Sequence, residues 1–225
     1  MEKTTSRFWN PFTETLSREN IRTVQLKNLR SLLGHAKSTT AFYENSLAGI
    51  DPRDVSGWED LGRLPLVEKE DLRKAQEGVG HFLFGDLLGV PPEEVTHFRQ
   101  TSGTTGKPVY VPESWESWPW RVEIWCHILW MAGFRPGDRV FLPFGYNVYV
   151  AFWEGHYASE KLGCTVIPGG ALSTRGRIEK LQEVRATALL NTPTYGIHMA
   201  EVAAEMGLAP RELGIRKMVC AGEPL

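Results

Sequence analysis

Residues 101–108 gather the side chains best suited to chemistry: Thr101, Ser102, Gly103, Thr104, Thr105, Gly106, Lys107 and Pro108 stand in one run. Their hydroxyls offer hydrogen bonds, the glycines permit turns at positive φ, and Lys107 supplies a positive charge. That combination suits a loop that grips a polyphosphate. The glycines are only three apart and the lysine precedes proline, so the run departs from the G-x-x-x-x-G-K-[ST] pattern of P-loop nucleotide hydrolases.

Two other stretches carry candidate chemistry. Phe144, Gly145 and Tyr146, continuing through Asn147 and Val148 to Tyr149, follow an apolar segment. Aromatic side chains around a glycine suit an apolar ligand pocket, and ordinary core packing is the plainer alternative. His156 stands close by and is a better functional candidate than His198, although a packing role for both stays open. Ala221, Gly222, Glu223 and Pro224 form a turn after the last apolar segment. Cys126, Cys164 and Cys220 lie far apart with no CxxC spacing, so neither a disulfide framework nor a metal site is expected.

The elements that position these residues are legible from periodicity. From Ser17, a plausible N-cap, Ile21, Val24, Leu29, Leu32, Leu33 and Ala36 recur at helical spacing. A short helix is expected near Glu68 and strands over 95–99 and 109–111, on either side of the hydroxyl-rich loop. A helix to Ala132 is apolar all round, with Trp120, Trp130 and Met131 off its main stripe, which predicts deep burial. Short strands over 140–142, 165–167, 188–190 and 217–220 then alternate with helical segments over 152–162, 178–184 and 195–206. This alternation predicts an α/β fold with a mostly parallel, doubly wound sheet. Such sheets bind ligands beyond the carboxyl ends of their strands, and all three candidate stretches follow a predicted strand. The expected division is an outer helical layer over residues 1–94 and an α/β nucleotide- and acid-binding region over 95–225.

Composition excludes other classes. The chain of 225 residues is 42% hydrophobic and 23% charged, ordinary globular values, and its net charge is −2. Lys and Arg are dispersed, which argues against a nucleic-acid partner. No apolar stretch approaches the roughly 20 residues that span a bilayer, and the N-terminus lacks a signal-peptide apolar region, so a cytoplasmic protein without a membrane partner is expected.

The run TSGTTGKP resembles the nucleotide-phosphate motif of the adenylate-forming superfamily of acyl-CoA synthetases, peptide-synthetase adenylation domains and luciferases. Other segments resemble the phenylacetate-CoA ligase branch: Glu59-Asp60-Leu61-Gly62-Arg63-Leu64-Pro65 with Lys69-Glu70-Asp71-Leu72-Arg73, then Phe144-Gly145-Tyr146, Gly155-His156-Tyr157 and Ala221-Gly222-Glu223-Pro224. The resemblance implies ATP-dependent activation of an aromatic carboxylic acid to an acyl-adenylate and then a coenzyme A thioester. It implies ATP with Mg²⁺ held at its β- and γ-phosphates by Thr101, Ser102, Gly103, Thr104, Thr105, Gly106 and Lys107. It implies adenine against Gly222, Glu223 and Pro224, and the acid among Phe144, Gly145, Tyr146, Tyr149 and His156. Asn147, Val150, Ala151 and Phe152 stand where the branch has smaller residues, so a reshaped pocket is expected.

The resemblance also implies elements beyond Leu225: a Tyr-Gly-x-[ST]-Glu motif whose glutamate holds Mg²⁺, a ribose-binding aspartate, and a mobile domain with a catalytic lysine. The chain alone is therefore expected to adenylate poorly. A non-catalytic nucleotide- or acid-binding module, or transfer of the acyl group to an amine or carrier-protein thiol, stays open, as does a homodimer.

Overall fold

The computed structural model describes residues 6–101, 107–147 and 150–223. It divides into two compact units, Pro11–Trp118 on the one hand and Met1–Asn10 with Pro119–Leu225 on the other.

The first unit carries helices α1 (Pro11–Glu14), α2 (Arg18–Thr39), α3 (Ala41–Ser46) and α4 (Lys69–Gln76), then strands β1 (Val95–Gln100) and β2 (Tyr110–Ser114). Ser17 caps α2 as expected, its hydroxyl accepting from the Asn20 amide at 3.2 Å. Arg30 of α2 donates to the Val55 carbonyl at 2.6 Å, tying the helix to the chain 25 residues on. At the start of α4 the Asp71 carboxylate accepts from the Glu68 amide at 2.9 Å, satisfying one of the helix's otherwise orphaned donors.

β1 and β2 form a two-stranded antiparallel ribbon, with Gln100 opposite Tyr110. The strand entering the hydroxyl-rich loop is thus not part of the parallel sheet, and the carboxyl-end rule does not apply to that loop. Nine residues separate Gln100 from Tyr110, too few for the helical crossover a parallel pair needs.

The second unit takes in α5 (Trp118–Met131), β3 (Arg139–Leu142), α6 (Val150–Lys161), β4 (Thr165–Pro168), α7 (Thr174–Glu183), β5 (Ala188–Asn191), α8 (Pro193–Glu205) and β6 (Lys217–Cys220). Its four strands are parallel in the order β4-β3-β5-β6. The doubly wound α/β fold read from the alternation is therefore present. Successive side chains along a strand take opposite faces. Phe141 and Leu189 accordingly pack in one core with Ile178 and Leu181 of α7 and Met199 and Ala203 of α8. Leu142 and Leu190 turn to the other face, where Trp125 of α5 and Phe152 of α6 meet them.

Pro193 starts α8 at a position where its missing N–H costs nothing. α7 begins earlier than its apolar residues indicate, because the Ser173 hydroxyl caps it by accepting from the Gly176 amide at 3.1 Å. The all-round apolar surface of α5 is not deeply buried. Cys126, Leu129 and Trp130 are in the core, but Trp120 and Met131 are 74% and 84% exposed.

Candidate functional site

The phosphate-gripping candidate sits at the tip of the β1–β2 ribbon. Ser102, Gly103, Thr104, Thr105 and Gly106 lie outside the described residues. Its neck is closed by Thr101 and Val109: the Thr101 amide donates to the Val109 carbonyl at 3.0 Å, and the Val109 amide returns a bond to the Thr101 hydroxyl at 3.0 Å. Thr101 thus spends its side chain on the neck.

Helix α4 braces the returning strand. The Gln76 carboxamide donates to the Tyr110 carbonyl at 2.7 Å and accepts from the Tyr110 amide at 3.0 Å, pairing with the backbone as a neighbouring strand would. Arg73, one turn earlier, donates to the Lys107 carbonyl at 2.9 Å. The Lys107 ammonium, 80% exposed, meets the Glu77 carboxylate at 2.7 Å. That bond lowers the pKa of Glu77 and raises that of Lys107. Sequence reading placed α4 without seeing this role, since the carboxamide of Gln76 finds its backbone partner 34 residues on. Gln76→Leu is expected to destabilise this unit by about 1–3 kcal/mol, because it strips both Tyr110 backbone groups of their partner. Urea denaturation of the variant measures this, and an unchanged midpoint would refute the brace.

In the second unit the strand order reverses direction between β3 and β5. From β3 the chain leaves toward β4, and from β5 it leaves toward β6 on the opposite side. Ligand crevices of doubly wound sheets open at such points. A cavity of about 90 Å³ lies there, walled by Leu142 at the end of β3, Leu190, Asn191 and Thr192 at the end of β5, and Val219, Ala221 and Gly222 after β6. Trp125, Ala151 and Phe152 from the covering helices close it. Gly222 takes φ of +95°, a conformation that favours glycine.

Of the residues expected to receive an acid, Phe144, Gly145, Tyr146 and His156 stand outside those walls, and Tyr149 lies outside the described residues. The Phe144 ring stacks on Phe152 with centroids 4.4 Å apart and so touches a cavity wall from behind. Tyr146 and His156 are joined, the phenol oxygen 2.9 Å from Nδ1 of the imidazole. The other ring nitrogen, Nε2, lies 3.2 Å from the Glu160 carboxylate. Burial, with a contribution from Glu160, pushes the Tyr146 phenol up, so the phenol stays protonated, and the imidazole stands between it and the Glu160 carboxylate.

The turn holding Phe144 is itself backed by residues that no motif signalled. A Cβ on Gly170 would stand 2.8 Å from the Phe144 carbonyl oxygen, so the two backbones meet closely there. Arg177 of α7 holds the backbone at Gly169 and Gly170, donating to their carbonyls at 2.9 and 2.8 Å and to the Tyr195 hydroxyl at 2.5 Å. Tyr195 in turn packs on Phe144 at 5.2 Å.

Near the last strand, the Glu223 carboxylate accepts from the amide and hydroxyl of Thr194 at 3.0 and 2.6 Å, in the first turn of α8. These bonds hold its pKa below the usual carboxylate value. Pro224 lies outside the described residues. Among the described residues no group of three or more His, Cys, Asp or Glu side chains could hold a metal ion, and no helix is long and apolar enough to cross a membrane.

No protein-family model matches the chain. The phenylacetate-coenzyme A ligase of Thermus thermophilus is 34% identical over 218 residues, which is 96% of this chain and 47% of that protein. The phenylacetate-coenzyme A ligase of Pseudomonas putida is 32% identical over 217 residues, 94% of this chain and 47% of its own length. A crystal structure of 2-hydroxyisobutyryl-CoA ligase in complex with 2-HIB-AMP and CoA matches with a TM-score of 0.91 at 32% identity, covering 100% of this chain and 48% of that one. The chain thus spans about half the length of the relatives it matches. Sequence and fold together relate the chain, over nearly its whole length, to the N-terminal half of the phenylacetate-coenzyme A ligases, with the fold of a CoA ligase.

Proposed function

We propose that the polypeptide carrying this chain activates a carboxylic acid with ATP and transfers it to coenzyme A. A carboxylate oxygen attacks the α-phosphorus and pyrophosphate leaves; the thiol then attacks the acyl carbon of the adenylate and AMP leaves. The observation that carries this reading is the match over the whole of this chain, and about half of the other, at a TM-score of 0.91, to a ligase crystallised with 2-HIB-AMP and CoA. The reaction needs no covalent link to the protein, so positioning and charge stabilisation carry the catalysis.

In this reading the loop from Thr101 to Lys107 receives the β- and γ-phosphates, and the Lys107 ammonium exchanges Glu77 for a phosphate oxygen. The Lys107–Glu77 pair is solvent-exposed, so giving it up costs little. The cavity beyond β3 and β5 receives the acid's side chain, and Gly222 and Glu223 border the adenine. An aromatic acid is the second reading, favoured by the Phe144-Gly145-Tyr146 turn and by the names of the curated relatives.

Acid-dependent exchange of pyrophosphate into ATP, followed by CoA-dependent release of AMP, tests the proposal. Release that answers to an amine or a carrier thiol instead would reassign the acceptor, and no acid-dependent exchange at all would overturn the reading. Lys107→Ala is expected to slow exchange about 100-fold, the typical cost of one preorganised charge-stabilising group. The KM for ATP should rise while that for the acid stays put. An unaltered ATP dependence would remove the loop from the mechanism.

A further inference from the structure

Resting on that reading, we infer that the acid is compact and aliphatic and bears a hydroxyl group that Asn191 recognises. The first argument is volume. An apolar cavity of about 150 Å³ accommodates a benzene ring, whereas the cavity at the sheet's switch point measures about 90 Å³. At roughly 30 Å³ per water-sized group, it has space for about three such groups, the side chain of a four-carbon acid and not an aryl ring.

Neighbouring side chains keep it small. Phe152 lines the cavity and is held by its stack on Phe144 at 4.4 Å and 22° between planes. Leu190, another wall, is pressed by the same helix: a Cβ on Gly155 would stand 2.9 Å from its methyl Cδ1. Neither wall can withdraw without disturbing a packed neighbour.

The second argument is an unmet hydrogen bond. Asn191 is 4% exposed and lines the cavity, and its Oδ1 has no partner among the described residues. The amide nitrogen reaches the Met218 sulfur, at 4.0 Å, a weak acceptor. A buried carboxamide end without a partner is costly and calls for one. Its terminal torsion is broad, so the group can turn toward a ligand. The other walls are almost wholly apolar and include no carboxylate, so an ammonium group would be buried without a counter-charge. A hydroxyl both donates and accepts, and so meets the carboxamide whichever way it is turned.

The test compares 2- and 3-hydroxybutanoate, butanoate and phenylacetate as substrates, by kcat/KM for CoA-thioester formation and by thermal-shift binding with ATP. One of the hydroxybutanoates is expected to exceed butanoate at least about tenfold, and phenylacetate by more. Asn191→Val should bring the hydroxybutanoate-to-butanoate ratio down to about one. Phe152→Ala, or the milder Phe152→Leu, should raise phenylacetate relative to butanoate. Preference of the unaltered protein for phenylacetate, or a hydroxy-acid ratio indifferent to Asn191, overturns the inference while leaving the ligase reading intact. Absence of acid-dependent turnover with every acid overturns both.

Discussion

Replacing Asp138 with Ala is expected to cost the α/β unit about 3–5 kcal/mol, the range for removing one partner of a buried ion pair. Asp138 begins the edge of the sheet where the parallel strands start, and it is 6% exposed. One carboxylate oxygen accepts from the Lys217 ammonium at 2.5 Å and from the Arg135 amide at 2.8 Å; the other accepts from the Thr187 hydroxyl at 2.8 Å. The three donors come from the turn before β3 and from the starts of β5 and β6, so a single side chain ties those strands together. Alanine would leave all of them without their acceptor, and a half-buried ammonium among them. Asp138→Asn keeps the shape but loses the charge, and should fall between the two.

Burial by itself pushes the Asp138 carboxyl up, yet Lys217, the Arg135 amide and the Thr187 hydroxyl together hold it below the usual carboxylate value. A carboxyl whose folded pKa is depressed contributes stability above its unfolded pKa, near 4, and loses it as pH falls through the folded value. The native protein should therefore lose stability on acidification below about pH 4, and Asp138→Asn should flatten that limb of the profile. Chemical denaturation between pH 3 and 7 measures both effects. A variant that loses less than about 1 kcal/mol at pH 7, or keeps the native acid slope, would refute the role given to this carboxylate.

Residues at the two ends of the sheet thus have different work. At the amino ends Asp138 and its donors are spent on stability, while at the carboxyl ends Asn191 keeps a polar group in reserve. The parallel sheet was readable because its information is local: short apolar runs alternate with helical stretches, and Arg135-Pro136-Gly137-Asp138 announces a turn. The β1–β2 ribbon misled because a strand's partner is not written in its own residues. Only the nine-residue spacing argues for an antiparallel pair. The apolar surface of α5 was read as buried, although periodicity states that a face is apolar without stating what covers it, and Trp120 faces solvent.

Site support was harder to read than site motifs. Thr101 to Pro108 announces itself by composition, but Gln76, Arg73 and Arg177 bond to backbone carbonyls and amides, whose positions depend on the fold and not on residue type. Tyr146 and His156 were legible as candidates, while Glu160 became meaningful only once α6 placed it one turn beyond His156. Asn191 carried no signal at all. An asparagine ending a strand is ordinary until its carboxamide is seen to be buried without a partner.

A second large effect is expected in the core beneath the Phe144 turn, where Phe141→Ala should cost about 3–5 kcal/mol through lost burial and the cavity left behind. Phe141 is fully buried in the cluster with Ile178, Leu181, Leu189 and Met199. Its ring also bounds the space at Gly169, where a Cβ would stand 2.5 Å from the ring carbon Cζ. Gly169→Ala should then cost about 1–3 kcal/mol by overpacking. In the Phe141→Ala background the ring is gone, the added methyl finds room, and the second substitution should cost almost nothing. The double-mutant cycle should show a coupling of at least about 1 kcal/mol, as expected of residues in contact. If Phe141→Ala leaves too little folded protein to titrate, Phe141→Leu with Gly169→Ala tests the same contact at a smaller cost. Additivity within about 0.5 kcal/mol would show that the ring does not set the position of the turn. Since Arg177 holds the carbonyls of Gly169 and Gly170, and Gly170 lies against the Phe144 backbone, a positive coupling would mean that core packing reaches the aromatic stack walling the acid cavity.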